Sequence, residues 1–290
     1  MSEPRVVVNE LTIAVGEIPR WHADEGVLYW ADISHQRLFR YNPTDETNEC
    51  LLESNAVRGI SIQASGAVLL SGPGGALAEW WKGELTSVTA GMDGDSGFND
   101  SCVDAEGRLY GSQMALHGEN DEILKPGRIC RVDHDGSYHT VADGIGAPNG
   151  IAISGDDAAL YIADNACRTV WTYEYDRASG DLGERREFIV LEEGTPDGMD
   201  IDADGNLWLT ECGGARVVCY DPTGKERRHI EFPTGAITAC AFGGADLKTL
   251  YVTSLGSIWR ATPDALDGCL FGVDAGVAGR PLARSRIMPS

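Results

Sequence analysis

The feature that most constrains the fold of this chain is an internal repeat. Each copy has a turn with Asp or Gly, a short β-rich run, a few polar residues and a second β-rich run. Six copies occur, and one anchor position in each falls at Tyr29, Val68, Tyr110, Tyr161, Trp208 and Tyr251. Successive anchors are 39 to 51 residues apart, a spacing typical of four-stranded propeller blades.

This repeat predicts an all-β, six-bladed β-propeller that occupies residues 1–290 as a single domain. No long segment has a helical period, so we expect few helices. A solenoid would need capping segments at its ends, and the sequence shows none. A propeller ring must close, and the apolar segment Val6–Val8 is the candidate to pair with strands of the last copy.

Composition and charge restrict the partners. The formal net charge of −22 makes nucleic acid and anionic lipid surfaces poor ligands. No stretch of about 20 apolar residues is present, and the start of the chain lacks the pattern of a signal peptide. The eight Cys form no CxxC pair, as in proteins of reducing compartments. We expect a soluble cytoplasmic protein, a monomer or weak homodimer, that binds a small molecule and neither nucleic acid nor membrane.

Polar side chains recur at one position of the repeat, 11 or 12 residues before the anchor. They are Glu17, Asn99, Asn149 and Asp197. Equivalent positions in successive blades surround one axis, so these side chains are expected to converge at one mouth of the central channel. The same position in the second and sixth copies is small or apolar, at Ala56–Val57 and Ala239–Cys240. A polar cluster with an apolar wall is typical of a small-ligand site.

Two carboxylates and two amides, without His or Cys, suit a hard cation such as Ca²⁺, Mg²⁺ or Mn²⁺. Two carboxylates alone would repel each other, and a cation removes that conflict. We therefore predict one divalent metal ion, with Ca, Mn, Mg and Zn all open as its identity. The alternative is that Asn149-Gly150 and Asp197-Gly198 are ordinary turn dipeptides and that Glu17 is a surface acid.

Five segments resemble one protein family, and they occur in order along nearly the whole chain. They are GEIPRW from Gly16, FNDSCVDAEGRLYGSQM from Phe98, PNGIAIS from Pro148, PDGMDIDADGNLW from Pro196 and CAFGGADLKTLYVTS from Cys240. They resemble the senescence marker protein / gluconolactonase / luciferin-regenerating enzyme family. The resemblance implies a six-bladed propeller with a divalent metal held by Glu17, Asn149 and Asp197. It also implies that Asn99 lies near the substrate.

The sequence departs from the family pattern at three positions. Ile18 stands at the usual Gly of the GEGP motif, and Gly97 stands at the Arg that contacts sugar lactones in some members. His117 stands near the place of a frequent carboxylate. The metal set is intact, whereas the sugar-contacting set is not. The candidate substrate-binding residues are Asn99, His117 and Arg58, which follows the ring position of the second copy.

These observations predict a metal-dependent hydrolase that opens a sugar lactone, with Asp197 as the catalytic base. Two alternatives stay open: a calcium-dependent hydrolase of other esters or phosphotriesters, and a non-catalytic calcium-binding propeller. The GxSxG motif of serine hydrolases is absent from the sequence.

Overall fold

A computed structural model describes residues 3–9, 12–92, 96–117, 123–257 and 264–288, apart from the side chains of residues 116, 117, 123 and 124. These residues form six antiparallel sheets of four strands each, and one additional two-stranded hairpin. The innermost strand of each sheet packs against the innermost strands of its two neighbours, so the sheets surround a common axis. The prediction of a six-bladed β-propeller is confirmed.

The strands are numbered in chain order, and each blade runs outward from the axis. The first strand and those of blades 1 and 2 are β1 (Arg5–Val8), β2 (Gly16–His22), β3 (Val27–Asp32), β4 (Arg37–Asn42), β5 (Thr47–Glu53), β6 (Gly59–Ile62), β7 (Val68–Ser71), β8 (Leu77–Trp81) and β9 (Glu84–Thr89). Blade 3 and its hairpin contain β10 (Phe98–Val103), β11 (Leu109–Gln113), β12 (Leu116–His117), β13 (Ile123–Lys125), β14 (Gly127–Val132) and β15 (Tyr138–Ile145).

Blades 4 to 6 follow the same order. Their strands are β16 (Pro148–Ile153), β17 (Ala159–Asp164), β18 (Thr169–Tyr175), β19 (Leu182–Val190), β20 (Thr195–Ile201), β21 (Leu207–Cys212), β22 (Arg216–Tyr220), β23 (Glu226–Glu231), β24 (Ile237–Gly243), β25 (Thr249–Ser254) and β26 (Leu270–Asp274). All six anchors of the sequence repeat lie in the second strand of a blade, which explains why the repeat was visible there.

The ring closes between the two ends of the chain. Strand β1 pairs antiparallel with β26 and forms the outermost strand of blade 6, with Val6 opposite Phe271 and Val8 opposite Leu270. The predicted pairing of Val6–Val8 with the last repeat is confirmed. Because β1 comes from the N-terminal region, blade 6 ties the two ends of the chain together.

Asp-x-x-Gly turns connect the first and second strands of blades 3 and 5, as their sequences predicted. The N–H of Gly107 donates to the Asp104 carbonyl, and the N–H of Gly205 donates to the Asp202 carbonyl. Both glycines have positive φ, +92° and +85°, which residues with a Cβ rarely adopt. The turns therefore set the register of the hairpins that carry the site.

The hydrophobic core is divided into layers between adjacent blades. Between blades 1 and 2, for example, Tyr29 and Leu38 pack with Ile60 and Leu70, all almost completely buried. Equivalent clusters lie at the other five blade interfaces. Each sheet thus buries both faces, and the packing of neighbours fixes where the inner strands lie.

Helices are scarce, as expected from the sequence. The described residues contain one short 3₁₀ helix, Pro73–Gly75, and no α-helix. No helix in the described ranges is long and apolar enough to cross a membrane.

A C-terminal segment, Ala278–Met288, crosses the face of the propeller at which the inner strands end. We refer to this segment as the strap. Its N–H groups donate to carbonyls of four blades: Gly279 to Leu247, Arg280 to Ile201, Ser285 to Ile62 and Arg286 to Gly107. Between the strap and the inner strands lies a cavity of about 140 Å³, bounded in part by Arg20, Asp200, Arg280 and Leu282. The strap therefore covers one mouth of the channel and links blades that are distant in sequence.

The strap is expected to stabilise the ring mainly through its buried side chains. Ile287 is 3% exposed and packs in the core between blades 2 and 3. Replacing Ile287 with Ala should lower the free energy of unfolding by about 2–4 kcal/mol, because the cavity left behind cannot fully collapse. Urea denaturation measures this change.

Arg284→Ala is the matched control within the strap. It removes only an exposed ion pair with Asp24, whose contribution is below about 1 kcal/mol. Equal losses in the two variants would contradict a strap held by apolar packing.

Candidate functional site

The four polar residues that recur at one position of the sequence repeat lie at equivalent positions in four blades. Glu17, Asn99 and Asn149 are the second residues of β2, β10 and β16, and Asp197 is the third residue of β20. The strands β10, β16 and β20 belong to consecutive blades, and β2 lies across the channel. The residues therefore meet at the mouth opposite the strap.

A β-bulge lies at this position in each of the four strands. The register with the second strand shifts between Glu17 and Arg20, between Phe98 and Asp100, between Pro148 and Ile151 and between Pro196 and Met199. A bulge leaves a residue unpaired and turns its side chain away from the normal alternation. The inner strand of blade 6, β24, has the same register shift between Ile237 and Cys240, so the bulge belongs to the repeat and the polar residue types are what distinguish the four site positions.

The glycines that follow Asn149 and Asp197 allow close approach of neighbouring strands. A Cβ placed on Gly150 would lie 2.2 Å from the Asp197 carbonyl oxygen, and one placed on Gly198 would lie 2.4 Å from Cβ of Ala239. Both glycines lie inside strands, so the alternative that these dipeptides form ordinary turns is wrong. The two dipeptides instead bring Asn149 and Asp197 together.

The carboxyl groups of the site strongly disfavour ionisation in the protein alone. Burial is the largest cause, and it raises the pKa of both Glu17 and Asp197. The negative charges of Asp197 and Asp100 raise the pKa of Glu17 further, and Asp100 does the same to Asp197. The nearby amide of Asn149 acts in the opposite direction on Asp197. The mouth of the channel is therefore a place where positive charge would be favourable.

Asp197 has an oxygen atom that lacks a partner. The residue is 5% exposed, and its Oδ1 is buried without a hydrogen bond from any described residue. An unpaired buried carboxylate oxygen is costly unless a ligand or cation satisfies it. The Nδ2 of Asn99 donates to the Pro148 carbonyl at 3.2 Å, which leaves its amide oxygen available. Oxygen donors of this kind fit a hard divalent cation.

Among the described residues, no three His, Cys, Asp or Glu side chains form a cluster able to hold a metal. The predicted ligand set contains only two residues of those types, Glu17 and Asp197, with Asn149 as the third ligand. The fit to a cation therefore depends on the amide as well as on the carboxylates.

A buried ion pair beneath the site was not predicted. Arg20 Nη2 donates to Asp100 Oδ1 at 2.6 Å and to the Ser101 carbonyl at 2.7 Å, and both members of the pair are almost completely buried. It places a positive charge below Glu17 and lowers the pKa of that carboxyl group, although less than burial and the two aspartates raise it. Arg20 and Asp100 each lie inside one of the family-like segments, but nothing within either segment indicates that the two side chains pair across 80 residues.

Of the predicted substrate-binding residues, Arg58 can be placed relative to the site, whereas the side chain of His117 cannot. Arg58 is exposed and lies beside Gly97, since a Cβ on Gly97 would be 3.5 Å from Cδ of Arg58. That Cβ would also be 2.9 Å from the Gly72 carbonyl oxygen, so a larger residue at position 97 would crowd the backbone. The side chain of His117 lies outside the described part of the chain, and its role stays a prediction. At the equivalent positions of blades 2 and 6, Val57 and Ala239 are buried, and the apolar wall of the site stays a prediction.

Comparisons with known proteins agree with the sequence motifs. A family model described as the SMP-30/Gluconolactonase/LRE-like region matches residues 15–256. The chain is 35% identical to a pentonolactonase of Haloferax volcanii, over 99% of each protein. It is 31% identical to a 6-deoxy-6-sulfogluconolactonase of Pseudomonas putida, over 96% of this chain and 97% of that protein. Among solved structures, a calcium-binding regucalcin from Agrobacterium tumefaciens has the same fold, with a TM-score of 0.82, 24% identity and 97% of each chain covered.

The raised pKa values predict how stability of the metal-free protein depends on pH. The pKa of Asp197 rises from 3.8 to about 8 on folding, so the folded state binds the proton more tightly than the unfolded state. The free energy of unfolding should therefore fall as the pH rises from about 4 to about 8. Asp197→Asn removes this contribution and should be more stable than the parent at pH 8, with a smaller gain at pH 5.

Urea denaturation in a chelating buffer at pH 5 and pH 8 measures the effect. Asp135→Asn is the control, since Ser137 lowers the pKa of that exposed carboxyl group and the variant should be slightly less stable at pH 8. Parallel pH profiles for the parent and Asp197→Asn would contradict the prediction.

Proposed function

The chain belongs to the SMP-30/gluconolactonase/LRE-like family, and from this we propose that it is a divalent-metal-dependent hydrolase that opens the ring of a sugar lactone. The observation that carries the proposal is the buried, unpartnered Oδ1 of Asp197 within a group of carboxylates and amides. Two relatives that match this chain over nearly its whole length have lactonase names, one for pentonolactones and one for a sulfogluconolactone.

Glu17, Asn149 and Asp197 are the residues that would hold the cation. When bound, it supplies Lewis-acid polarisation of the lactone carbonyl and a lowered pKa for water. The bulges fix the orientation of all three side chains before any ligand arrives, and preorganised groups of this kind need little rearrangement during reaction.

Asp197 is assigned the role of general base. Its carboxylate has two oxygens, so one can hold the cation while the other accepts the proton of the attacking water. Attack of the water on the ester carbonyl forms a new C–O bond and breaks the ring C–O bond. The proton taken by Asp197 passes to the departing ring oxygen, which becomes a hydroxyl group, and the carboxylic acid formed ionises with release of a proton. Asn99 is assigned to orient the substrate or the water, with its amide held by the Pro148 carbonyl.

Arg58 is assigned to substrate hydroxyl groups. It comes from blade 2 but lies beside Gly97, which precedes Asn99 of blade 3 by two residues. A guanidinium here offers several donors to a polyhydroxylated lactone. This placement favours a sugar lactone over an apolar ester or a phosphotriester, because it supplies a cationic donor where residue 97 has no side chain.

The proposal is tested with metal-stripped protein resupplied with Ca²⁺, Mn²⁺, Mg²⁺ or Zn²⁺ one at a time. The substrates are aldonolactones, simple alkyl lactones and a phosphotriester, with acid release followed by a pH dye. Turnover of an aldonolactone is expected only after metal is returned. Tight metal binding without turnover of any substrate would favour the non-catalytic calcium-binding alternative.

Asp197→Asn tests the role assignment in the same assay. At saturating metal, kcat should fall at least about 100-fold, since an amide cannot accept the proton. Undiminished hydrolysis at full metal occupancy would show that another group is the base.

Arg58→Ala tests the substrate contact. The KM for an aldonolactone should rise about tenfold, the value of one charged hydrogen bond, while kcat stays close to that of the parent. A simple alkyl lactone, which has no hydroxyl groups for Arg58 to bind, should show no change. Steady-state kinetics with both substrates measures the difference.

Arg40→Ala serves as the control for loss of a surface arginine. Arg40 pairs with Glu49 on the outer strands of blade 1, far from the mouth. Equal KM values for Arg58→Ala and Arg40→Ala would contradict the assignment of Arg58.

A further inference from the structure

Ile18, directly after Glu17, has a backbone conformation that is rare for its residue type. Its φ is +51°, in the left-handed region that β-branched residues strongly avoid. The other described non-glycine residues with positive φ all lie in turns or bends between strands: Gln36, Glu46, Lys82, Asp157, Arg168, Ala215 and Leu247. Ile18 instead lies inside β2. Such outliers persist only where surrounding structure over-determines them, and they concentrate at functional sites.

The side chain of Ile18 shows what holds this conformation. It is 1% exposed and belongs to the core cluster between blades 1 and 2, together with Val57 and Ile60. Withdrawal of the side chain from this core would expose apolar surface to water, which opposes relaxation of the backbone. The packing of two blades thus keeps a strained residue in place.

The strained backbone has a direct contact with the site. The N–H of Ile18 donates to Oε2 of Glu17 at 3.2 Å. The bulge that begins after Glu17 ends at Arg20, which is again in register with Tyr29, and Arg20 Nη1 donates to the Pro19 carbonyl at 2.9 Å. The bulge is thus anchored on one side by a buried apolar side chain and on the other by a buried guanidinium.

We propose that Ile18 is a positioning residue for Glu17: its buried side chain holds the left-handed bulge, and the bulge directs the Glu17 carboxylate toward the metal position. This inference rests on the proposed function, in which Glu17 is a metal ligand. Ile18 itself is enclosed by core residues, so its effect on the site passes through the backbone and through Glu17.

The experiment compares Ile18→Gly, Ile18→Ala and Ile18→Val with the parent. Glycine accepts the left-handed conformation but has no anchor, alanine keeps the strain without the anchor, and valine keeps a β-branched buried group. Calorimetric titration of the metal-free proteins with Ca²⁺ gives the Kd, thermal melting reports folding, and aldonolactone kinetics are measured at limiting and saturating Ca²⁺.

Ile18→Gly and Ile18→Ala are expected to weaken Ca²⁺ binding about tenfold, the usual effect of losing a group that orients a ligand. Ile18→Val should bind within about threefold of the parent. Saturating Ca²⁺ should restore kcat in the glycine variant, since Asp197 and Asn99 are unchanged. If the glycine variant fails to fold, the alanine variant carries the same expectation.

Leu38→Ala is the matched control, because Leu38 is buried in the same cluster but lies in β4, which β3 separates from β2 and the site. It should lower the melting temperature and leave the Kd unchanged. A parent-like Kd in both Ile18→Gly and Ile18→Ala, or an equal weakening in Leu38→Ala, would overturn the inference. A parent protein that binds none of the four metals would instead overturn the proposed function itself.

Discussion

Six four-stranded sheets can bury both of their faces only by packing around a common axis, and this constraint governs the rest of the structure. Each blade interface carries its own apolar cluster, and β1 closes the ring by pairing with β26. Because every blade packs into the ring in the same orientation, residues at equivalent positions of the repeat lie at the same level along the axis. A site made from distant segments thus needs only a polar residue at that place and a bulge that turns it inward.

The same geometry creates an electrostatic conflict. The inner strands bring Glu17 and Asp197 close together away from water, and the negative charge of Asp100 adds to burial in raising the pKa of both carboxyl groups. One guanidinium, that of Arg20, is held below them by Asp100 and offsets only part of the negative charge. The stability of the bare protein and its affinity for a cation are therefore linked, since the groups that destabilise the empty mouth at neutral pH are those that a cation would satisfy.

The sequence predicted the features that depend on the repeat and missed those that depend on contacts between blades. The six blades and the pairing of Val6–Val8 follow from spacing and apolar pattern, which are local properties. The Arg20–Asp100 pair joins residues 80 positions apart, and the approach of Gly150 to Asp197 is set by how two sheets pack. Neither has a signature within one repeat. For the same reason the dipeptide Asn149-Gly150, typical of turns in isolation, lies within a strand once the neighbouring blade is present.

Contacts between blades also change how a departure from a family motif is interpreted. A missing Arg at Gly97 looks, in the linear sequence, like the loss of a substrate contact. In the folded ring the backbone of Gly72 leaves little room for a side chain there, and Arg58 of the adjacent blade lies alongside. Ile18 is a second example. Its positive φ is unfavourable for a β-branched residue, and packing of its side chain against blade 2 keeps the backbone in that conformation. In a propeller, the effect of a substitution near the axis therefore depends on the contacts between two neighbouring blades. The sequence of a single repeat does not contain the information needed to predict that effect.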